Sequence, residues 1–232
     1  MQNKRTFGNF VLIRLDREND IIKLKDGGEL YIDTSYEPEK HATVTGTVCG
    51  LPKKLVYTGI PNQGMPWKTP MELKDGDRVV IYYLSVVNAL RPEMMRATII
   101  DGQKYVWVQY QNIFAAVRNN LIVPINGYCL IEPCESPEWE ATQKRMESFG
   151  MKAVRLNEKS LTNVVYGRVK YLGRPNDAYV DGHTDEGVNI NLGDTVVMKK
   201  ITDLPLEYDL HANIDGGKKY WRVQRRYIFA KI

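Results

Sequence analysis

Side chains that could hold a metal ion are few and scattered in this chain. The three histidines, His41, His183 and His211, are far apart and share no ligand spacing with the cysteines. Cys129 and Cys134 are close in sequence, but a tetrahedral zinc site needs a second pair of this kind. We therefore expect no metal site.

Glycine pairs and acidic residues also lack the surroundings that catalysis requires. Gly27-Gly28 and Gly216-Gly217 are not followed by the helix pattern of a phosphate cradle, and no nucleophile elbow is present. Asp26, Glu29 and Asp33 resemble paired acids for general acid–base work, but a solvated loop explains them better. The sequence predicts neither a cofactor nor an enzymatic activity.

The strongest pattern is an internal repeat. Residues 105–109 and 113–117 return as residues 220–224 and 228–232, at an offset of 220 − 105 = 115. Three further pairs of segments follow the same order, namely 73–81 with 190–198, 46–48 with 167–169, and 10–13 with 128–131. Four blocks in one order predict two homologous modules, residues 1–118 and 119–232.

Size, charge and cysteine content set limits on the class of protein. Half of the 232 residues is enough for a small domain with its own core. Residues 1–118 hold 16 Lys+Arg and 13 Asp+Glu, and the remainder holds 16 and 15, so neither half is a basic tail and nucleic-acid binding is not indicated. With no secretory or membrane-spanning stretch and three cysteines, we expect a soluble cytoplasmic protein.

Short apolar segments bounded by Gly, Asp, Asn or Pro predict a mainly β chain. The predicted strands lie near residues 10–15, 44–49, 78–84, 105–110 and 113–117, and near 128–132, 166–172, 195–200, 220–224 and 227–231. Five strands are enough to close a small barrel in each module. Residues 51–70, with four prolines, predict an exposed excursion, and Asp181-Gly182 predicts a hairpin tip in its counterpart, residues 174–189.

One short helix is predicted inside the second module. Ser136 is a suitable N-cap, Pro137 suits the first helical position, and Gly150 suits the stop. Trp139, Met146 and Phe149 would then lie toward one side of the helix.

The repeated blocks resemble the GroES-type co-chaperonin family, the lids of chaperonin rings. Residues 124–131 are similar to the family's opening, a proline and an aliphatic residue that lead into the first strand. Residues 167–169 resemble its Gly-x-Val strand, residues 193–197 its Gly-Asp-x-Val strand, and residues 228–232 its closing strand. The family's motifs occur once in each half of the chain and together span nearly all of it. The resemblance therefore implies two tandem GroES-like small β-barrels.

The resemblance implies a protein that works by binding. Members of the family form a ring through their terminal strands and extend a mobile loop after the first strand, which docks a short apolar tripeptide on a chaperonin ring. The chaperonin, not the lid, hydrolyses ATP. We therefore expect a homo-oligomer that binds a chaperonin and assists protein folding. Because each chain carries two modules, either the ring holds six or eight modules, or a single-module partner joins it, or the chain forms no ring.

On this chain the mobile loop corresponds to residues 17–31. Gly27-Gly28 matches the glycine pair before the family's aliphatic anchor, but Glu29 stands where the first aliphatic residue should be. The expected partner-binding residues are Ile21, Ile22, Leu24, Gly27, Gly28, Leu30 and Tyr31. In the second module, residues 134–157 have no glycine pair, and Trp139, Met146 and Phe149 either form a different anchor or pack against the barrel.

Two other functions remain open. Glu29, the missing second anchor and the proline-rich excursion fit a barrel reused as a structural or interaction protein, such as a phage or assembly component, with no chaperonin partner. Aromatic and cationic residues alternate over residues 220–227, which also fits an oligonucleotide-binding tandem barrel.

Overall fold

The computed structural model describes residues 4–16, 21–31, 42–58, 60, 64–91, 94, 96–152, 164–185, 189–199 and 220–232. Within these ranges the chain is mainly β, as predicted. In chain order the strands are β1 (Lys4–Thr6), β2 (Phe10–Leu15), β3 (Ile21–Lys23), β4 (Glu29–Tyr31), β5 (Thr45–Pro52), β6 (Trp67–Lys68), β7 (Arg78–Ile81), β8 (Ala97–Ile100), β9 (Gln103–Gln109), β10 (Ile113–Arg118), β11 (Leu121–Pro124), β12 (Tyr128–Cys134), β13 (Val164–Leu172), β14 (Ala178–Tyr179), β15 (Thr195–Lys199), β16 (Trp221–Gln224) and β17 (Ile228–Lys231). The α-helices are α1 (Tyr83–Leu90) and α2 (Pro137–Ser148), and 3-10 turns span Tyr110–Asn112 and Arg225–Tyr227.

Two large sheets repeat one strand order. The first runs β11-β10-β7-β5-β2-β9-β8, with β1 paired in parallel to β5, and the second runs β17-β15-β13-β12-β16. The series β10-β7-β5-β2-β9 therefore matches the whole second sheet. Neither sheet closes into a barrel through the pairings of the described residues, so the prediction of two closed barrels is not confirmed.

The repeat extends to strand register and to irregularities. Leu12 lies opposite Trp107 in the first sheet, and Leu130 lies opposite Arg222 in the second. A β-bulge follows Leu12 where β2 meets β5, and another follows Leu130 where β12 meets β13. Bulges also recur where β10 meets β7 and where β17 meets β15. The boundary at residue 118 stays a prediction, and β11, just beyond it, pairs with β10 of the first sheet.

Each sheet encloses its own apolar core, and a third core joins the two. The first includes Val11, Ile13, Val79 and Val106, and the second includes Cys129, Ile131, Val196 and Met198. The third, which we call the junction core, consists of Val80, Phe114, Ala115, Ile122, Tyr128, Leu130 and Tyr220. Because its members come from both sheets, the two halves of the chain pack directly on one another.

All ten predicted strands form, and β2 has the predicted bounds. The predicted helix also forms: Ser136 accepts a hydrogen bond from the Trp139 amide at 3.2 Å, and the chain turns out of the helix at Gly150, where φ is +71°. The sequence did not predict α1, because residues 83–84 continue the apolar pattern of β7. Val86 and Ala89 are the buried residues of α1.

The prediction of an exposed excursion at residues 51–70 is wrong at its start, where Leu51 and Pro52 complete β5, and in its second half. Met65 and Trp67 are buried, because β6 pairs with β14 of the corresponding excursion in the second module. The expected tip at Asp181-Gly182 does form a tight turn, in which the Gly182 amide donates to the Tyr179 carbonyl at 3.0 Å. The two excursions therefore cover each other.

Candidate docking site

Both modules send out a segment at the same place in the fold. In the first, Leu15 at the end of β2 pairs with Gly46 at the start of β5. In the second, Cys134 at the end of β12 pairs with Tyr166 near the start of β13. Each segment thus leaves and returns at neighbouring positions, and the sheet below fixes its base.

The segment of the first module contains a small hairpin, which we call the projecting hairpin, made of β3 and β4. Its strands pair antiparallel with each other and, among the described strands, with no other. The Leu24 amide donates to the Gly28 carbonyl at 2.7 Å, and the Gly27 amide donates to the Leu24 carbonyl at 3.1 Å. Gly27 has a φ of +86°, a conformation that side chains with a Cβ rarely adopt. The glycine pair therefore builds a turn.

Apolar side chains of the projecting hairpin face solvent. Leu24 is 46% exposed, Leu30 is 51% exposed and Tyr31 is 72% exposed. Such a group of exposed apolar residues on a protruding element is typical of a protein-binding site. Ile21 and Ile22 lie in β3 opposite Tyr31 and Leu30, and their side chains fall outside the described part of the structure, as do residues 17–20.

The register of the projecting hairpin places Glu29 and Leu30 on different faces. Glu29 pairs with Lys23, whereas Leu30 pairs with Ile22. Because successive strand residues point to opposite faces, Glu29 and Leu30 lie on different faces of the hairpin. A contact through the Leu30 face therefore does not require the carboxylate of Glu29 to be buried.

The segment of the second module contains α2 in place of a hairpin. No residue of α2 is buried; Trp139 and Met146 are partly exposed, and Phe149 just after the helix is 65% exposed. The Met151 amide donates to the Met146 carbonyl at 2.9 Å, so the end of the helix keeps Met151 beside Met146. Of the three residues of the second predicted anchor, Trp139 and Met146 thus lie on α2 and Phe149 directly follows it. Residues 153–157 lie outside the described ranges.

The junction core holds the two modules at a fixed relative position. The guanidinium of Arg222, on β16, lies 3.7 Å from the centre of the Phe114 ring on β10 and 4.9 Å from that of Tyr82. Phe114 also contacts Tyr128 edge to face, with ring centres 5.1 Å apart. These cation–π and aromatic contacts cross between the sheets and bury the positive charge of Arg222.

Asn126, in the turn before β12, is the hydrogen-bonding centre of the junction. Its side-chain amide donates to the carbonyls of Tyr110 at 2.8 Å and Ile113 at 3.0 Å, and its Oδ1 accepts a long bond of 3.4 Å from Trp67 Nε1. Asn126 is fully buried and has a φ of +59°. Sequence reasoning missed this residue, although Asn-Gly before a strand signals a left-handed turn.

Cys129, on β12, is a fully buried thiol. Burial raises the pKa of the Cys129 thiol to about 12, so it is not a thiolate nucleophile at neutral pH. Within the described ranges no three His, Cys, Asp or Glu side chains come together as metal ligands, and His41 and His211 lie outside those ranges. In the same part of the chain no helix has the length and apolar character needed to cross a membrane.

No protein-family model matches the chain, and no curated protein matches its sequence.

Proposed function

We propose that this protein is a tandem GroES-like co-chaperonin, a lid that binds a chaperonin ring through the projecting hairpin and assists protein folding without chemistry of its own. The observation that carries the proposal is one strand order used twice, with an exposed apolar hairpin on the segment after the first long strand. In GroES-type proteins the docking loop also follows the first strand of the barrel. The partner supplies an apolar groove and the ATPase activity.

The projecting hairpin is suited to weak, repeated docking. Leu30 and Leu24 provide apolar surface that is exposed in the free protein, and burying one such side chain contributes about 1.5–3 kcal/mol. One hairpin alone therefore binds weakly, and several on one oligomer bind strongly by multivalency. Leu24, at the turn of the hairpin, would lie at the edge of the contact that Leu30 makes, whereas Tyr31 lies on the face of Glu29.

Co-sedimentation with a chaperonin ring from the same cell, in the presence of ATP, tests this function. The wild type is expected to co-sediment, and Leu30→Asp is expected to lose binding because the new carboxylate would be desolvated on docking. Ile99→Asp is the control, since Ile99 lies on β8 in a different hairpin and is 72% exposed against 51% for Leu30, so its change should leave binding intact. Wild-type protein that does not co-sediment, or equal binding by both variants, would contradict the proposal.

We also propose that copies of this chain assemble head to tail through their terminal strands. The outer edge of β10 is paired with β11, whereas the corresponding strand β17 has no partner on that edge among the described strands. In chain order, β1 of the first module corresponds to β11 of the second. β1 ends at residue 6 and β2 begins at residue 10, and β11 ends at residue 124 and β12 begins at residue 128. β17 of one copy would therefore pair with β1 of the copy that follows it.

The aromatic residue on the last strand supports this assembly. Phe114 on β10 is 3% exposed because residues of the second module cover it, whereas Phe229, its counterpart on β17, is 60% exposed. A following copy would cover Phe229 in the same way.

Native mass measurement tests the assembly. The wild type should contain several chains and Phe229→Asp a single chain, while Leu192→Asp, a change at another exposed apolar residue, should keep the wild-type mass. A single-chain wild-type particle would refute head-to-tail assembly.

A second candidate is a GroES-like module reused as a structural or interaction protein without a chaperonin partner. The observation that favours it is the replacement of a second hairpin by α2, which gives the two modules different projecting surfaces. An intact wild-type oligomer that binds no chaperonin would favour this candidate, as would virion genes in place of a chaperonin gene beside its own.

A further inference from the structure

A chain of hydrogen bonds crosses the junction and has a carboxyl group at each end. Glu72 Oε2 accepts the Asn126 amide at 2.8 Å, and the Asn126 carbonyl accepts Asn176 Nδ2 at 3.1 Å. The Asn176 amide then donates to Asp185 Oδ2 at 2.8 Å. Asp185 therefore secures the excursion that carries β14, and through Asn176 it secures the contact of that excursion with the first module.

Asp185 is buried without a full set of donors. It is 3% exposed, and its Oδ2 also accepts from the Tyr179 hydroxyl at 3.3 Å. Its Oδ1 and the Oδ1 of Asn176 are both buried and have no hydrogen-bond partner among the described residues. An ionised carboxylate would leave a charged oxygen without a donor in this dry site, whereas the neutral acid brings a donor of its own.

The charged and titratable groups around Asp185 do not offset this burial. Arg225, in the 3-10 turn after β16, and His183, in the same excursion, favour the ionised form. Tyr179, also in the excursion, and Cys129, on β12, face Asp185 without adding positive charge. Desolvation is the largest effect, so burial raises the pKa of Asp185 above its usual value despite the bonds from Asn176 and Tyr179.

We propose that residues 176–185 form a proton-operated latch between the modules, closed when Asp185 is neutral and loosened when Asp185 ionises. The closed latch keeps β14 paired with β6 and Tyr179 packed on Trp67, whose ring centres are 6.2 Å apart. The bond from the Asn176 amide is stronger to the ionised carboxylate, but the buried charge gains hydration when the excursion opens. Because desolvation is the larger effect, ionisation favours release of the excursion and of the contact between Asn176 and Asn126. The latch does not depend on the proposed chaperonin partner.

The sign of the pH effect follows from linkage. A carboxyl with a raised pKa in the folded state binds its proton more tightly there than in the unfolded chain. Its contribution to stability is complete below the unfolded pKa of about 4 and declines as pH rises through the interval up to the folded pKa. Within that interval, ionisation of Asp185 alone increases the equilibrium constant for unfolding about tenfold for each unit that the pH rises.

Asp185→Asn tests the latch, because asparagine keeps the shape and supplies a permanent donor. Denaturant unfolding from pH 4 to pH 9 should give equal stability for wild type and variant at the acid end, and a growing advantage for Asp185→Asn as pH rises. Asp181→Asn is the control: Asp181 is exposed, pairs with Arg226, and lies in the same excursion. An Asp185→Asn protein that is less stable at every pH, with an unchanged profile, would show an ion pair with Arg225 and overturn the latch.

Two further measurements test the latch, and the first uses wild-type protein alone, so it does not depend on folding of the variant. In wild-type protein the ¹³C carboxyl resonance of Asp185 should titrate above its usual pH range, and a midpoint at or below about 4 would overturn the proposal. Hydrogen exchange of residues 65–68 and 176–185, compared between wild type and Asp185→Asn at the same pH, should be equal at pH 4 and faster in the wild type at pH 8. Equal exchange at both pH values would also overturn it.

Discussion

The two modules use one sheet but expose different surfaces. The first projects a hairpin after β2, and the second projects α2 after β12, although both segments leave and return between paired residues. The last strand of the first module is covered by the second module, whereas the last strand of the second is exposed. The shared sheet sets where a surface is presented, and the segment inserted there sets what the surface can bind.

The same comparison holds for the turn that enters each first long strand. Gly8 and Asn126 occupy equivalent positions, with φ values of +61° and +59°. Gly8 is exposed, whereas the side chain of Asn126 is buried and bonded at the junction. The two modules therefore share a backbone conformation at this turn, but only the residue of the second module has a side chain that joins the modules.

Exchanging these two residues should have the largest effect. Asn126→Gly keeps the left-handed backbone but leaves the Tyr110 and Ile113 carbonyls without their donor, and we expect a loss of about 2–4 kcal/mol in the free energy of unfolding. Gly8→Asn, the matched control, should change stability by less than about 0.5 kcal/mol. Urea unfolding measures both, and equal losses would mean that Asn126 acts through its backbone alone.

A glycine pair in β5 and β13 gives the next largest effect and tests how closely the sheets repeat. A Cβ on Gly46 would lie 2.6 Å from Cγ2 of Ile13, and a Cβ on Gly167 would lie 2.3 Å from Cγ2 of Ile131, the counterpart of Ile13. Gly46→Ala and Gly167→Ala should each cost about 1–3 kcal/mol from overpacking. Thermal unfolding checks this, and Gly76→Ala, with no atom within 4 Å of its Cβ, isolates the cost of a positive φ. A neutral change at only one of the two positions would show that the modules do not share this contact.

An ion pair in each module gives the smallest effect and sharpens the contrast between covered and exposed strands. Arg118 Nε and Nη2 lie 2.9 and 2.6 Å from the Asp77 carboxylate, and Nη2 also donates to the Glu72 carbonyl. Lys231 makes a looser contact of 3.4 Å with Asp194, the counterpart of Asp77. Arg118→Ala should cost about 1–2 kcal/mol, because the pair is partly exposed, and Lys231→Ala less than about 1 kcal/mol. Unfolding in low and high salt checks both, and a strong salt effect on the Arg118 pair would contradict its partial burial.

Local sequence patterns predicted the strands well, because strand segments of this chain are short, apolar and bounded by turn residues. The helix α2 was predictable because Ser136 and Gly150 mark its ends with side-chain and backbone chemistry of their own. The helix α1 was not, since Tyr82 at its N-cap makes no side-chain capping bond and its Val-rich sequence favours a strand.

Contacts between the modules could not be predicted from local patterns. The pairing of β6 with β14 joins residues more than a hundred positions apart, and the cation–π contact of Arg222 with Phe114 depends on the packing of two sheets. The exposed leucines of the projecting hairpin were predicted as an anchor, but its fixed register, which turns Glu29 away from Leu30, required the pairing of β3 with β4.

The neighbouring positions of Cys134 and Tyr166 have a practical consequence. Because the strands on either side hold this base together, the intervening segment with α2 can be exchanged for another peptide, such as an epitope or a fluorescent reporter, without disturbing the sheet. Natural divergence can use the same freedom, so that new specificities arise by substitution of an insert while the scaffold is inherited unchanged.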